Sequence, residues 1–128
     1  MNFFFEPVNL LQWNMFEKVE GIGHVECFLA TKKMQLDDII VLHVGKQSKH
    51  YESGVYAYGT IVKSPYVLEN HPQDYCNEKL TVDVRFDKIS HSIPIVPALQ
   101  CKKLFKQFRT VHQVGEDSKK QLIELLDI

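Results

Sequence analysis

At 128 residues, with 45% hydrophobic and 24% charged residues and a net charge of −1, the chain has the make-up of one globular domain. That composition excludes a disordered tail, a collagen-like repeat and a coiled coil. The longest apolar runs, such as Ile39-Ile40-Val41-Leu42, fall far short of the roughly 18 residues of a membrane span.

No charged leader with an apolar core opens the chain, so no secretory signal is expected. Residues 2–5 read as a short strand stopped by Pro7. Residues 9–18 fit a helix, with Asn9 as N-cap and Leu10, Trp13, Met15 and Phe16 as an apolar stripe. Gly21 and Gly23 break it, and residues 24–33 carry no clear period. An apolar run over 36–45, closed by Gly45, reads as a strand. After a polar loop at 45–53, residues 54–63 alternate cleanly. Val55, Ala57, Gly59 and Ile61 fall on one face, and Tyr56, Tyr58, Thr60 and Val62 on the other. The small Ala57 and Gly59 point to a close approach across that face. Ser64-Pro65 ends the strand, and 66–78 is a long loop of the kind that often carries function. Residues 79–89 alternate again, with Leu80, Val82, Val84 and Phe86 inward. A short extended piece at 93–97 precedes an amphipathic helix over 100–108, in which Leu104, Phe105 and Phe108 oppose Lys102, Lys103 and Lys106. Asp117 or Ser118 can cap a last helix running to Leu126.

Three cysteines, Cys27, Cys76 and Cys101, are an odd number without CxxC spacing. Structural zinc sites usually pair ligands at short spacing, and a disulfide scaffold needs more thiols. The expectation is no metal, no cofactor and a reducing, cytoplasmic compartment. The six histidines are scattered, without HxH or HExxH. Charge is segregated. From Arg85 to His112, Arg85, Lys88, Lys102, Lys103, Lys106 and Arg109 stand against Asp87 alone, a local +5. Such a side suits a polyanion, while a solvated charged face is the plainer reading.

The order of residues from 36 to 100 resembles the EVE domain of the PUA-like superfamily. The pieces are Asp37-Asp38 leading into Ile39–Val44, then Gly54-Val55-Tyr56-Ala57-Tyr58-Gly59 running to Pro65-Tyr66. Val82-Asp83-Val84-Arg85-Phe86 and Ile93-Pro94-Ile95-Val96 follow. Three departures are visible: Asp37-Asp38 stands for the family's Gly-Asp, Leu42-His43-Val44 with Ser48 stands for a Tyr-His-Ser-type segment, and residues 22–34 lack a tryptophan. The resemblance implies a mostly-β, α+β fold, a PUA-like mixed barrel of five or six strands with short flanking helices, spanning 1–128 as a single domain. It also implies a non-catalytic nucleic-acid-binding module, DNA or RNA, that reads a modified base. Some members serve modification-dependent restriction systems with a fused or associated nuclease or ATPase.

A base reader needs aromatic surfaces for stacking and polar groups for the base edge. Trp13, Tyr51, Tyr56, Tyr58, Tyr66 and Tyr75 are the aromatic candidates, with Tyr56 and Tyr58 as the expected stacking wall. The pocket is expected between the 45–53 loop, that strand and the 66–78 loop. His43 and Ser48 are candidates for the base edge, and Asn70 or Asp74 for a loop contact. Lys46, Lys49, Lys102, Lys103, Lys106 and Arg109 are candidates for the phosphates, which carry affinity without sequence information. Two other classes stay open: an enzyme acting on a nucleotide or small molecule in the same pocket, and a protein-interaction domain without a ligand. No carboxylate pair, Cys–His motif or phosphate-cradling glycine loop favours the enzyme.

Overall fold

In the computed structural model, which describes residues 1–46 and 49–128, strand β3 (Ile39–Val44) is buried along its whole length. The reason is its position. It lies between β1 (Phe3–Val8), to which it is parallel, and β4 (Gly54–Val67), to which it is antiparallel. Side chains alternate across it into two separate cores. Ile40, Leu42 and Val44 join Phe4 and Val8 in one apolar cluster, while Ile39 and Val41 join Phe3 and Phe5 in another. Phe3, Phe4 and Phe5 are fully buried, each worth roughly 1.5–3 kcal/mol of transfer free energy.

The other strands are β2 (Val25–Leu29), β5 (Leu80–Ile89) and the two-residue β6 (Val96–Pro97) and β7 (His112–Gln113). The sheet runs β2-β5-β4-β3-β1-β7, with β6 added beside β4. It is a mixed seven-stranded sheet with three short helices, and it does not close into the expected barrel of five or six strands. Among the described residues no pairing joins β2 to β1 or β7. Pro7 supplies no N–H, and β1 has no β7 partner beyond Phe5. A cavity lies at that free edge.

Local structure departs from expectation in instructive places. The helix expected over 9–18 is a single turn, α1 (Met15–Lys18). Asn9 Oδ1 instead accepts from Leu11 N–H at 3.0 Å, and Asn14 Oδ1 caps α1 by accepting from Phe16 N–H at 3.1 Å. Two turn-forming asparagines five residues apart divide the segment. Pro7 does not stop β1, and Ser64-Pro65 does not stop β4, because both prolines lie on stretches with little pairing left to lose. Helix α2 (Ala98–Leu104) starts earlier than expected and ends at Phe105, whose extended backbone leaves Phe108 outside it. The final helix, α3 (Glu116–Leu126), is capped by Gly115 rather than Asp117 or Ser118, and it buries Leu122 and Leu126 against the second cluster.

Strand β4 is bulged. Leu42 pairs with Ala57 but His43 pairs with Val55, so Tyr56 is the extra residue. Val55 therefore points into the second cluster, Tyr56 and Ala57 both into the first, and Tyr58 against the second. The expected shared face of Tyr56 and Tyr58 does not exist. The close approach at Gly59 does: a Cβ there would meet Val84 Cγ1 at 2.6 Å and the carbonyl oxygen of Arg85. Among the described residues, no helix is long and apolar enough to cross a membrane.

Candidate nucleic-acid interface

The cavity at this edge has a volume of about 580 Å³, inside the range of roughly 300–1,000 Å³ usual for ligand pockets. It wraps around the free edge of β1. Its inner end takes Glu6 and Val8 from β1, Trp13 from the 9–13 turn, Phe28 from β2, and Tyr75. Its outer end takes His43, Phe108 and Arg109. Trp13 meets Phe28 edge-on at 5.4 Å, which holds the indole upright. The Tyr75 ring is fixed from behind, since its hydroxyl donates to the Cys27 carbonyl oxygen at 2.8 Å. His43 sits between Phe5 at 5.2 Å and Phe108 at 4.9 Å.

Burial shifts two of the titratable groups that border this cavity toward their uncharged forms. His43 is 3% exposed, and loss of hydration lowers its pKa to about 4. Glu6 is 4% exposed, and its carboxyl is pushed well above the usual range by burial first and by the Cys76 thiol second. Its Oε2 is fully buried with no hydrogen-bond partner among the described residues. A buried carboxyl oxygen without a partner is costly, which favours the protonated form of the group. Arg109 borders the cavity and is exposed, with no ion pair among the described residues.

Of the residues expected to bind a ligand, the fold gathers Trp13, His43 and Tyr75 here, together with Arg109 from the phosphate set. The other tyrosines lie elsewhere. Tyr56 is fully buried, and its hydroxyl donates to the Glu52 carbonyl oxygen at 2.7 Å. Tyr58 packs on the second cluster. Tyr66 donates to Asp83 at 2.6 Å beneath the Lys63 ammonium, which lies 3.9 Å from its ring centre. Tyr51 stacks on Phe16 at 4.1 Å and borders, with Lys49, a separate groove of about 350 Å³. Ser48 lies outside the described residues. Lys46 and Lys102 are exposed, while Lys103 and Lys106 border a smaller cavity with the start of α3. Tyr56 and Tyr58 form no shared wall beside the 45–53 loop, and of the described residues in the two flanking loops Gly45 and Tyr75 border the β1-edge cavity.

Glu6, Phe28 and Phe108 also border the cavity and are not among the candidates the sequence offers. For Glu6 a signal existed: one acid inside the apolar run Phe3–Val8. Away from the cavity, Cys27 on β2 meets Asp74 and Cys76 from the 68–79 segment, with ligand atoms all within 4.8 Å of one another.

No protein-family model matches the sequence, and no curated protein matches it. Solved structures do. The DUF55 domain of human thymocyte nuclear protein 1 superposes with a TM-score of 0.67 at 14% identity, covering 98% of this chain and 99% of that one. The human THYN1 protein in complex with DNA containing 5-methylcytosine gives 0.65 at 12% identity, covering 100% and 99%. A hypothetical protein from Leishmania major gives 0.64 at 11%, covering 99% and 95%. The chain shares their fold.

Proposed function

We propose that this chain is an EVE-type, PUA-like nucleic-acid-binding domain, spanning residues 1–128, that holds one modified nucleobase in the cavity at the β1 edge. The observation that carries the proposal is one cavity combining aromatic walls at Trp13, Phe28 and Phe108 with the largely buried carboxyl of Glu6 and a rim arginine at Arg109. Aromatic walls accept the face of any base, and stacking is worth roughly 1–3 kcal/mol. A neutral carboxyl presents an O–H donor beside a carbonyl acceptor. That pair complements an edge with neighbouring acceptor and donor, as at N3 and the N4 amino group of cytosine. A 5-methyl group would be received by the aromatic walls. Arg109 beside the mouth suits the phosphate of an extruded nucleotide, and extrusion from a duplex needs such a pocket to offset the lost stacking. The fold shared with a protein that has been seen in complex with 5-methylcytosine DNA supports the same reading. The role assigned is binding, without catalysis.

The test is binding to matched single- and double-stranded oligonucleotides, DNA and RNA, with cytosine or 5-methylcytosine at one position. The expected result is tighter binding to the methylated DNA, and loss of that preference in Trp13→Ala. Equal binding to every oligonucleotide, unaffected by Trp13→Ala, would refute the proposal.

A further inference from the structure

Cys27 and Cys76 are 49 positions apart, yet the fold brings them to one point. Strand β2 carries Cys27 in the ladder opposite Asp83 of β5. The segment before β5 returns over it, so that Asp74, Tyr75 and Cys76 pass across β2. One bond ties this return to β2, and another holds its shape. Tyr75 donates to the Cys27 carbonyl oxygen at 2.8 Å, and Asp74 Oδ1 accepts from Cys76 N–H at 2.8 Å. The result is two thiols and one carboxylate with every pair of ligand atoms within 4.8 Å.

The spacing has a chemical meaning. Zinc bound tetrahedrally, with Zn–S near 2.3 Å and Zn–O near 2.0–2.2 Å, sets a sulfur and an oxygen about 3.6 Å apart. Cys27 Sγ lies 3.4 Å from Asp74 Oδ2 and 3.6 Å from Oδ1. The ion pairs among the described residues are His24–Glu26 and Arg85–Asp87, so no Lys or Arg neutralises Asp74. Cys76 is fully buried, while Cys27 and Asp74 are half-buried. Solvent thus reaches the group from one side.

We propose that Cys27, Asp74 and Cys76 form a site for a thiophilic divalent cation of the zinc class, with water in the fourth position. Binding releases one proton from each thiol, and two thiolates with one carboxylate leave the loaded site with a net charge of −1. The ion would pin the 68–79 segment to β2 and so hold Tyr75, which lies between two of the ligands, against the cavity. The proposal is independent of what the cavity binds.

The test uses the full chain, purified under reducing conditions, incubated with Zn²⁺ and desalted before elemental analysis. One zinc per chain is expected in the wild type and in Cys101→Ser, whose thiol lies in the other core. Zinc should be lost in Cys27→Ser and Cys76→Ser, and held more weakly in Asp74→Asn. Loaded with Co²⁺, the wild type should show sulfur-to-cobalt charge-transfer absorption, weakened when either thiol is removed. Should Cys76→Ser fail to fold, the half-buried Cys27→Ser and the cobalt spectrum decide. A zinc-free wild type, zinc retained after loss of both thiols, or cobalt without charge-transfer bands would overturn the site.

Discussion

Glu6 and His43 border the same cavity from opposite faces of the sheet. Glu6 shares the side of Phe4 and Val8 on β1, and His43 shares the side of Ile39 and Val41 on β3. One cavity reaches both because it passes around the β1 edge that β7 leaves unpaired beyond Phe5. The same burial shifts the two groups in opposite directions: it disfavours the positive charge of the imidazole and the negative charge of the carboxyl. An uncharged pair that still offers donors and acceptors suits a neutral base edge better than an ion.

The histidine sets a pH dependence of stability. Its folded pKa of about 4 lies below its ordinary 6.5, so between those values the unfolded chain binds the proton more readily. Stability therefore falls as pH drops from 6.5 to 4. At about 1.4 kcal/mol per pH unit, the loss is at most on the order of 3 kcal/mol. Urea titrations at pH 7, 5.5 and 4 should show this decline in the wild type and a shallower one in His43→Phe. Identical slopes for both proteins would remove His43 as the cause.

Glu6 has the reverse sign. Its folded pKa is raised, so the folded chain holds the proton more readily above pH 4.5, and stability is lost as pH rises toward the folded value. Glu6→Gln keeps the shape, a donor and an acceptor, but cannot ionise. Its melting temperature should match the wild type near pH 4.5 and exceed it increasingly toward pH 8. A variant less stable at pH 8 than at pH 5, in step with the wild type, would mean that Glu6 does not titrate this way.

How far the sequence was legible follows from which signals are local. Strands β3, β4 and β5 stood out because alternation and bounding turns are written within about ten residues. The bulge at Tyr56 was invisible, since it arises from the pairing of β4 with β3, and one extra residue moves Tyr56 and Tyr58 to opposite faces. Trp13, His43, Tyr75 and Arg109 were named from residue chemistry, but their convergence depends on an open sheet edge. The approach at Gly59 was anticipated from small residues, and it supports a prediction. Gly59→Ala places a methyl against the Arg85 carbonyl and Val84, and should destabilise by about 1–3 kcal/mol in chemical denaturation. A stability equal to wild type would mean that the strands can separate freely there.

Tyr56 and Trp13 should separate under the same substitution. Tyr56 is fully buried, closed in by Phe16, Tyr51 and the Glu52 carbonyl. Its replacement by alanine should cost about 3–5 kcal/mol of stability, as for other large aromatic core residues, with affinity of the folded fraction unchanged. Trp13→Ala should melt closer to the wild type and bind about ten- to hundredfold more weakly, the equivalent of one stacking contact. Paired melting curves and anisotropy titrations read both effects. Normal affinity in Trp13→Ala would make the indole a prop for Phe28 and nothing more.

The basic residues should divide by position. Arg109 lies at the cavity mouth, whereas Lys103 and Lys106 face the start of α3 across a smaller cavity. A phosphate contact contributes to affinity whatever the sequence, and each one removed lowers the slope of log affinity against log salt by about 1. Arg109→Gln should therefore weaken binding to methylated and unmethylated oligonucleotides alike and reduce the slope by about that amount. Replacing Lys102, Lys103 and Lys106 together by Gln should lower it further, again without altering the preference for methylation. Titrations from low to moderate salt measure both quantities at once. If Arg109→Gln keeps the full slope, the arginine faces solvent, and the phosphate path must leave the cavity on another side.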